Sequence, residues 1–105
     1  MKIKLLNKQW EIKELNAKEL AELLTSDSSY NMGGCDYMGK KIGILDNLRD
    51  ETKHETIIHE ITHAIMYESS LNAHCKEDVR EQYCEFVKFA YPIIEDVLKQ
   101  IYKKA

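Results

Sequence analysis

Two histidines and a glutamate form the part of this sequence best suited to chemistry. His59, Glu60 and His63 stand in the order His-Glu-x-x-His. On an α-helix, residues four apart lie about 40° apart around the axis and about one turn along it. His59 and His63 can therefore bind one metal ion with both imidazoles, at roughly 2.0–2.1 Å each for zinc. Glu60 then lies beside the ion, where it can take a proton from a metal-bound water.

A catalytic zinc ion usually has three protein ligands and one position left for water, so a third ligand must come from outside the motif. The candidates are the nitrogen and oxygen donors that follow it, namely His74, Glu77, Asp78, Glu81 and Glu85. Cys75 and Cys84 lack the C-x-x-C spacing of a soft metal site, so we predict that they are structural thiols.

Around these residues the chain resembles the gluzincin metallopeptidases. In that clan the His-Glu-x-x-His helix is followed by a second helix with the pattern Glu, any residue, apolar, small, acidic, apolar, apolar, and residues 81–87 match each position. The resemblance implies that Glu81 is the third zinc ligand. It also implies that Glu85 accepts the outer N–H of a ligating histidine, with Cys84 as the small residue. Glu81 and Glu85 are four residues apart and share one helix face.

The size of the chain is that of the small members of the clan, the minigluzincins and the ImmA/IrrE-type proteins of phages and other mobile elements. The resemblance covers roughly residues 33–92. It implies an α+β fold in which a small antiparallel sheet packs on an active-site helix and a C-terminal glutamate helix. We expect residues 1–105 to form this single zincin-like domain.

The last helix allows a second interpretation, in which Glu81 is not the third ligand. The apolar stripe of the last helix centres near Tyr83, and Glu81 lies almost opposite by helical angle. If only the stripe is buried, Glu81 and Glu85 are solvated. If the helix is sandwiched between the core and the active-site helix, both face the metal. Glu77, one turn earlier, is the next candidate.

Local patterns predict the elements that position the site. Residues 2–6 and 10–15 suggest two strands, and Asn16 with Glu19 suggests the capping box of a short helix. Gly39 suggests a turn before a strand at about residues 40–46. Asp50 is the predicted N-cap of the motif helix, which extends to about Glu68, and a last helix begins near residues 76–77. We expect Pro92 to kink or loosen that helix.

Composition excludes several classes of protein. The 105 residues are 44% apolar and 31% charged, which is a globular balance. The net charge of −3 gives no basic field for nucleic acid. No apolar run is long enough for a membrane helix or a secretory signal. Cys35, Cys75 and Cys84 are an odd number without framework spacing, which favours free thiols and a cytoplasmic location.

The function that these features predict is zinc-dependent hydrolysis of peptide bonds with Glu60 as general base. The cofactor is one Zn²⁺ per chain, and the partner is a peptide or protein substrate. Members of the clan bind substrate along a strand edge, so we expect Lys41, Ile42, Gly43 and Ile44 to contact it by strand addition. Two alternatives remain: a non-enzymatic zinc-containing regulatory or binding module, and a small helical interaction protein without metal. The sequence leaves the substrate and the oligomeric state open.

Overall fold

Four strands and three helices make up the fold in a computed structural model of the chain. The structure describes residues 1–24, 32–69 and 76–102; from residue 93 onward it describes only the side chain of Glu95. In chain order the elements are β1 (Lys2–Leu5), β2 (Lys8–Leu15), α1 (Ala17–Leu24), β3 (Gly33–Asp36), β4 (Lys41–Leu45), α2 (Asp50–Glu68) and α3 (Glu77–Tyr102). This is the predicted α+β class.

The sheet is mixed, whereas we expected an antiparallel one. Its strand order is β1-β2-β4-β3. The β1–β2 and β3–β4 pairs are antiparallel, but β2 and β4 run parallel, with Ile12 opposite Ile42. The sequence showed only local hairpins. Strand β3 begins at the end of the sheet where β2 finishes, because Gly33 and Glu14 both pair with Ile44; β3 then runs back and β4 returns in the direction of β2.

One face of the sheet packs against α2 and forms the core. The buried cluster contains Trp10 and Ile12 of β2, Ile42 and Ile44 of β4, and Ala64 of α2. Helix α1 covers the opposite face. A Cβ built at Gly43 on that face would lie 2.9 Å from the side chains of Leu20 and Leu23 of α1, and also of Leu15 of β2. The alternation of side chains along β4 therefore separates the two layers.

The N-terminal cap predicted for α1 is confirmed, but the one predicted for α2 is not. The Asn16 side chain accepts a hydrogen bond from the Glu19 amide at 2.8 Å, and Glu19 accepts one from the Asn16 amide at 3.0 Å, which confirms the capping box. The prediction of Asp50 as N-cap is wrong by one residue. Arg49 is the extended N-cap residue and makes no side-chain capping bond, while Asp50 lies in the first turn. There its charge still complements the positive end of the helix dipole.

The face of α3 that packs against α2 is not the one that the pattern of apolar residues predicts. The centre of the predicted apolar stripe is exposed: Tyr83 is 54% and Phe86 66% accessible, while Val79, Val87 and Ala90 are half-buried. Cys84 is instead fully buried, and it lies between Glu81 and Glu85 on the side facing α2. Helix α3 also continues through Pro92 to Tyr102.

A polar clamp joins the sheet to the end of α2. Trp10 Nε1 donates a hydrogen bond to Glu68 Oε2 at 2.7 Å, and Lys40 Nζ lies 2.6 Å from the same oxygen. Lys40 Nζ also lies 5.6 Å from the Trp10 ring centre and 5.4 Å from that of Tyr67. Lys40 has a φ of 54°, so the left-handed position in the β3–β4 turn is at Lys40 and not at Gly39.

His74, a candidate ligand, and Cys75, a predicted structural thiol, fall outside the described residues. Among the described helices, none has both the length and the apolar character to cross a membrane.

Candidate metal centre

The two motif histidines lie on α2 with their rings close together. The ring centroids of His59 and His63 are 4.9 Å apart. The side chain of His63 is 9% exposed and that of His59 13%. Burial lowers the pKa of His63, which favours the neutral imidazole that binds metal. The four-residue spacing thus brings two imidazoles to one side of the helix at the α2–α3 interface.

Glu81 of α3 lies against both imidazoles. Its Oε1 is 2.8 Å from His63 Nε2, and its Oε2 is 3.3 Å from His59 Nε2. Glu77, the alternative, is exposed at the first residue of α3, and within the described ranges it forms no ion pair with either histidine. The structure therefore brings Glu81, and not Glu77, to the histidine pair.

Glu85 contacts the other nitrogen of His59. Its Oε1 lies 3.3 Å from His59 Nδ1, while its Oε2 lies 2.7 Å from Lys88 Nζ. The hydrogen bond from Lys88 holds the pKa of the Glu85 carboxyl below its usual range, so this carboxylate stays ionised as an acceptor. Such an acceptor orients a metal-binding imidazole and fixes its tautomer.

The donor set fits a divalent cation on chemical grounds. If His59 Nδ1 donates its hydrogen to Glu85, the Nε2 of the neutral ring has a lone pair that faces a carboxylate oxygen of Glu81. Two lone pairs at 3.3 Å repel unless a proton or a cation lies between them. Separations of 2.8 and 3.3 Å are also near the spacing, about 3.4 Å, of two ligands held tetrahedrally at roughly 2.1 Å from zinc. The buried His63 Nδ1 has no hydrogen-bond partner in the described part of the chain.

Glu60 extends toward strand β3 and lines the same cleft as His59 and Glu81. It is 6% exposed. Its carboxylate accepts a hydrogen bond from Cys35 Sγ at 3.4 Å. Burial, reinforced by the charge of Glu81, raises the pKa of Glu60 to about 7, although the bond from Cys35 opposes the shift. A carboxyl group with a pKa near 7 can both accept and release a proton at neutral pH.

Cys84 is a nearby donor that the sequence did not identify. A ligand atom of His59, one of His63 and the Cys84 sulfur all lie within 4.8 Å of one another. Burial raises the pKa of the thiol to about 12, so without a metal it stays protonated. Its position three residues after Glu81 is the only sequence signal that could have placed it here, because i and i+3 share a helix face.

A cleft gives solvent access to this group. It has a volume of about 200 Å³ and is bounded by β3, α2 and α3, with Gly33, His59, Glu60, Glu81 and Lys88 among its lining residues. The side chain of Glu81 is 52% exposed, so Glu81 and His59 open toward water on this side.

The predicted substrate strand is in the wrong place for strand addition. Lys41, Ile42, Gly43 and Ile44 belong to β4, which is bonded to β2 on one side and to β3 on the other. Its backbone groups are used within the sheet, and Ile42 and Ile44 are fully buried. The edge strand beside the cleft is β3, and the prediction of an edge at residues 41–44 is wrong for that reason.

Comparisons with known proteins add no relative. No protein-family model, no curated protein and no solved structure matches the chain. Functional conclusions therefore depend on the geometry of the described residues.

Proposed function

We propose that the chain is a zinc-dependent metallopeptidase of gluzincin type. One observation carries this proposal: the Nε2 atoms of His59 and His63 face the same carboxylate, that of Glu81, at 3.3 and 2.8 Å. The three donors come from two helices and include the two spacings, His-x-x-x-His and a later Glu, that the clan requires. A buried carboxylate, Glu60, follows directly after the first histidine.

In this proposal His59, His63 and Glu81 hold the metal and Glu85 orients His59. When bound, zinc supplies a Lewis acid that lowers the pKa of a water molecule toward roughly 7 and polarises the scissile carbonyl. The exposure of the Glu81 side chain leaves the metal accessible to a substrate. An accessible coordination position is what distinguishes a catalytic site from a structural one.

Glu60 is the general base. It accepts a proton from the attacking water and then delivers it to the leaving amine as the carbon–nitrogen bond breaks. A carboxyl pKa of about 7 suits both halves of this task, because the group is neither fully protonated nor too weak a base at neutral pH. A site with only a structural metal has no use for such a group.

The substrate backbone pairs with β3. Leu45 donates its amide hydrogen to the Met32 carbonyl at 2.8 Å, so residues 32 and 45 form a hydrogen-bonded pair. Bonding alternates along an antiparallel ladder, and Gly33 and Cys35 therefore direct their backbone N–H and C=O groups away from β4. An extended peptide can bind to these groups at the edge of the cleft.

A cytoplasmic location remains part of the proposal. Cys35 and Cys84 are free thiols, as expected in a reducing compartment.

The proposal is tested by comparing the parent with Glu60→Gln on a peptide library, with cleavage read by mass spectrometry. Both proteins are loaded with zinc and their metal content is measured. The parent should cleave peptides, and the variant should bind equal zinc but cleave at least ~100-fold more slowly, because it lacks the base. A zinc-loaded parent that leaves the library intact would contradict the proposal, as would equal rates in the two proteins.

A second candidate is a non-enzymatic zinc-containing module, and the position of Cys84 favours it. If Cys84 joins His59, His63 and Glu81, four ligands close the coordination shell, as in structural zinc sites. Cobalt substitution distinguishes the two candidates, because a thiolate ligand adds a sulfur-to-cobalt charge-transfer band in the near ultraviolet. The peptidase proposal predicts the weaker visible cobalt bands without that band. A charge-transfer band that disappears in Cys84→Ser would support the closed module.

A further inference from the structure

The thiol of Cys35 reaches from the edge strand β3 to the proposed general base. Its Sγ lies 3.3 Å from the Glu60 carbonyl oxygen and 3.4 Å from Glu60 Oε1. Within the described part of the chain, no other side chain is hydrogen-bonded to this carboxylate. Cys35 thus contacts both the backbone and the side chain of one residue.

The thiol is the donor in this contact. Carbonyl and carboxylate oxygens are acceptors, and a thiol has one hydrogen to give. Burial, followed by the nearby charge of Glu60, raises the pKa of the Cys35 thiol far above its usual range, so the thiol keeps that hydrogen. The same shift makes Cys35 a poor nucleophile, which argues against a covalent role.

Cys35 is also held on a rigid part of the fold. Its register partner in the sheet is Ile42, which is fully buried in the core. Two residues earlier, Gly33 lies so close to α2 that an added Cβ would be 3.1 Å from Glu60 Cγ and 2.8 Å from Thr56 Cγ2. The strand therefore has a fixed position over the carboxylate, and a donor on it can fix a side-chain orientation.

We infer that Cys35 is a positioning residue that holds the Glu60 carboxylate in its catalytic orientation. The inference rests on the proposed function, since it assigns Glu60 the role of base. Among the described residues Cys35 forms no hydrogen bond with His59, His63 or Glu81, and by this assignment it does not touch the reacting atoms. Its contribution is to the turnover step rather than to substrate or metal binding.

Kinetics of Cys35→Ala and Cys35→Ser test this role, with a peptide taken from the library that the parent cleaves. Alanine removes the donor, whereas serine keeps a donor at the same position. Cys35→Ala should lower kcat by roughly 10- to 100-fold with KM and zinc content unchanged, and Cys35→Ser should restore most of it. Equal kcat in the parent and both variants would overturn the inference, and so would an equal loss in both variants.

A second measurement needs no activity. The S–H stretching band of Cys35 is identified in the infrared spectrum as the band that Cys35→Ala lacks. In Glu60→Ala this band should move to higher frequency, because the carboxylate that accepts its hydrogen is gone. A band that does not move would overturn the inference by showing that the thiol does not bond the carboxylate.

The two proposals fail in different ways. If the parent cleaves peptides and Glu60→Gln does not, but Cys35→Ala cleaves normally, the peptidase stands and the positioning role fails. If the zinc-loaded parent cleaves nothing, the peptidase fails, and the positioning role fails with it even where the infrared band shows the contact.

Discussion

Replacing Gly33 by alanine tests how closely the edge strand approaches the site. A Cβ built at Gly33 lies 2.8 Å from Thr56 Cγ2, 3.0 Å from the Gly43 carbonyl oxygen and 3.1 Å from Glu60 Cγ. The shortest of these falls roughly 0.6 Å below the 3.4 Å at which ordinary contact begins. Thr56 cannot easily rotate away, because it is buried and its hydroxyl donates to the Thr52 carbonyl at 2.7 Å.

Such overpacking costs about 1–3 kcal/mol, and the lower entropy of the unfolded alanine chain returns about 0.4–1 kcal/mol. We therefore expect Gly33→Ala to lower the free energy of unfolding by about 1–2 kcal/mol, which is a fall in Tm of roughly 5–10 °C for a domain of this size. Urea titration and thermal melting followed by circular dichroism measure both quantities.

Gly39→Ala is the matched control. A Cβ at Gly39 would meet only the Asp36 carboxylate, which accepts an exposed hydrogen bond from the Gly39 amide at 3.1 Å. Moving that carboxylate aside costs this weak bond, and the lower entropy of the unfolded alanine chain returns about 0.4–1 kcal/mol. This control should change stability by less than about 0.5 kcal/mol. If Gly33→Ala is as stable as the parent and the control, β3 does not approach α2 closely enough to fix the position of Cys35.

Three further predictions concern the caps, the clamp and the substrate. Asn16→Ala should cost about 1 kcal/mol in urea unfolding, because it removes the side-chain acceptor of the α1 capping box; an unchanged urea midpoint would contradict it. The hydrogen bond from Lys40 holds the pKa of the Glu68 carboxyl below its usual range. The stability that this interaction contributes is therefore fully present above the pKa of Glu68 in the unfolded chain, and it is lost as the pH falls through its pKa in the folded protein. Glu68→Gln should therefore destabilise at pH 7 and make the loss of stability on acidification smaller; parallel pH profiles of the urea midpoint for parent and variant would refute this. Methylating the substrate nitrogen that pairs with the Gly33 or Cys35 carbonyl should raise KM by about 10-fold or more, whereas methylating the next nitrogen should have little effect; equal KM values would exclude strand addition at β3.

The sequence predicted those parts of the fold that depend on local signals. The capping box of Asn16 and Glu19, the bounds of α2 up to Glu68 and the start of α3 at Glu77 all follow from spacing and residue type. Glu81 lies beside both histidines, the position that the resemblance to the gluzincin pattern led us to expect.

The rest depends on which surfaces meet, and hydrophobicity gave the wrong answer for α3. The face of α3 that packs on α2 carries Glu81, Cys84 and Glu85, and the two carboxylates on it contact His59. Tyr83 and Phe86 are exposed. Polar contacts of this kind give no apolar periodicity, so a pattern search assigns the exposed side to the core.

Strand pairing was hidden for a similar reason. The parallel β2–β4 pair joins residues about 30 positions apart across α1, and only the whole topology shows that β4 is interior and β3 is the edge. That one difference moved the proposed substrate strand from residues 41–44 to residues 33–36.

Zinc content per chain, measured by elemental analysis after loading and desalting, tests the central claim most directly. Parent, Glu81→Ala and Glu77→Ala are compared, with Glu77→Ala as the control one helical turn away. We expect close to one zinc per chain in the parent and in Glu77→Ala, and clearly less in Glu81→Ala, because Glu81 contacts both histidines. Full zinc in Glu81→Ala, or no zinc in the parent with excess metal, would contradict it.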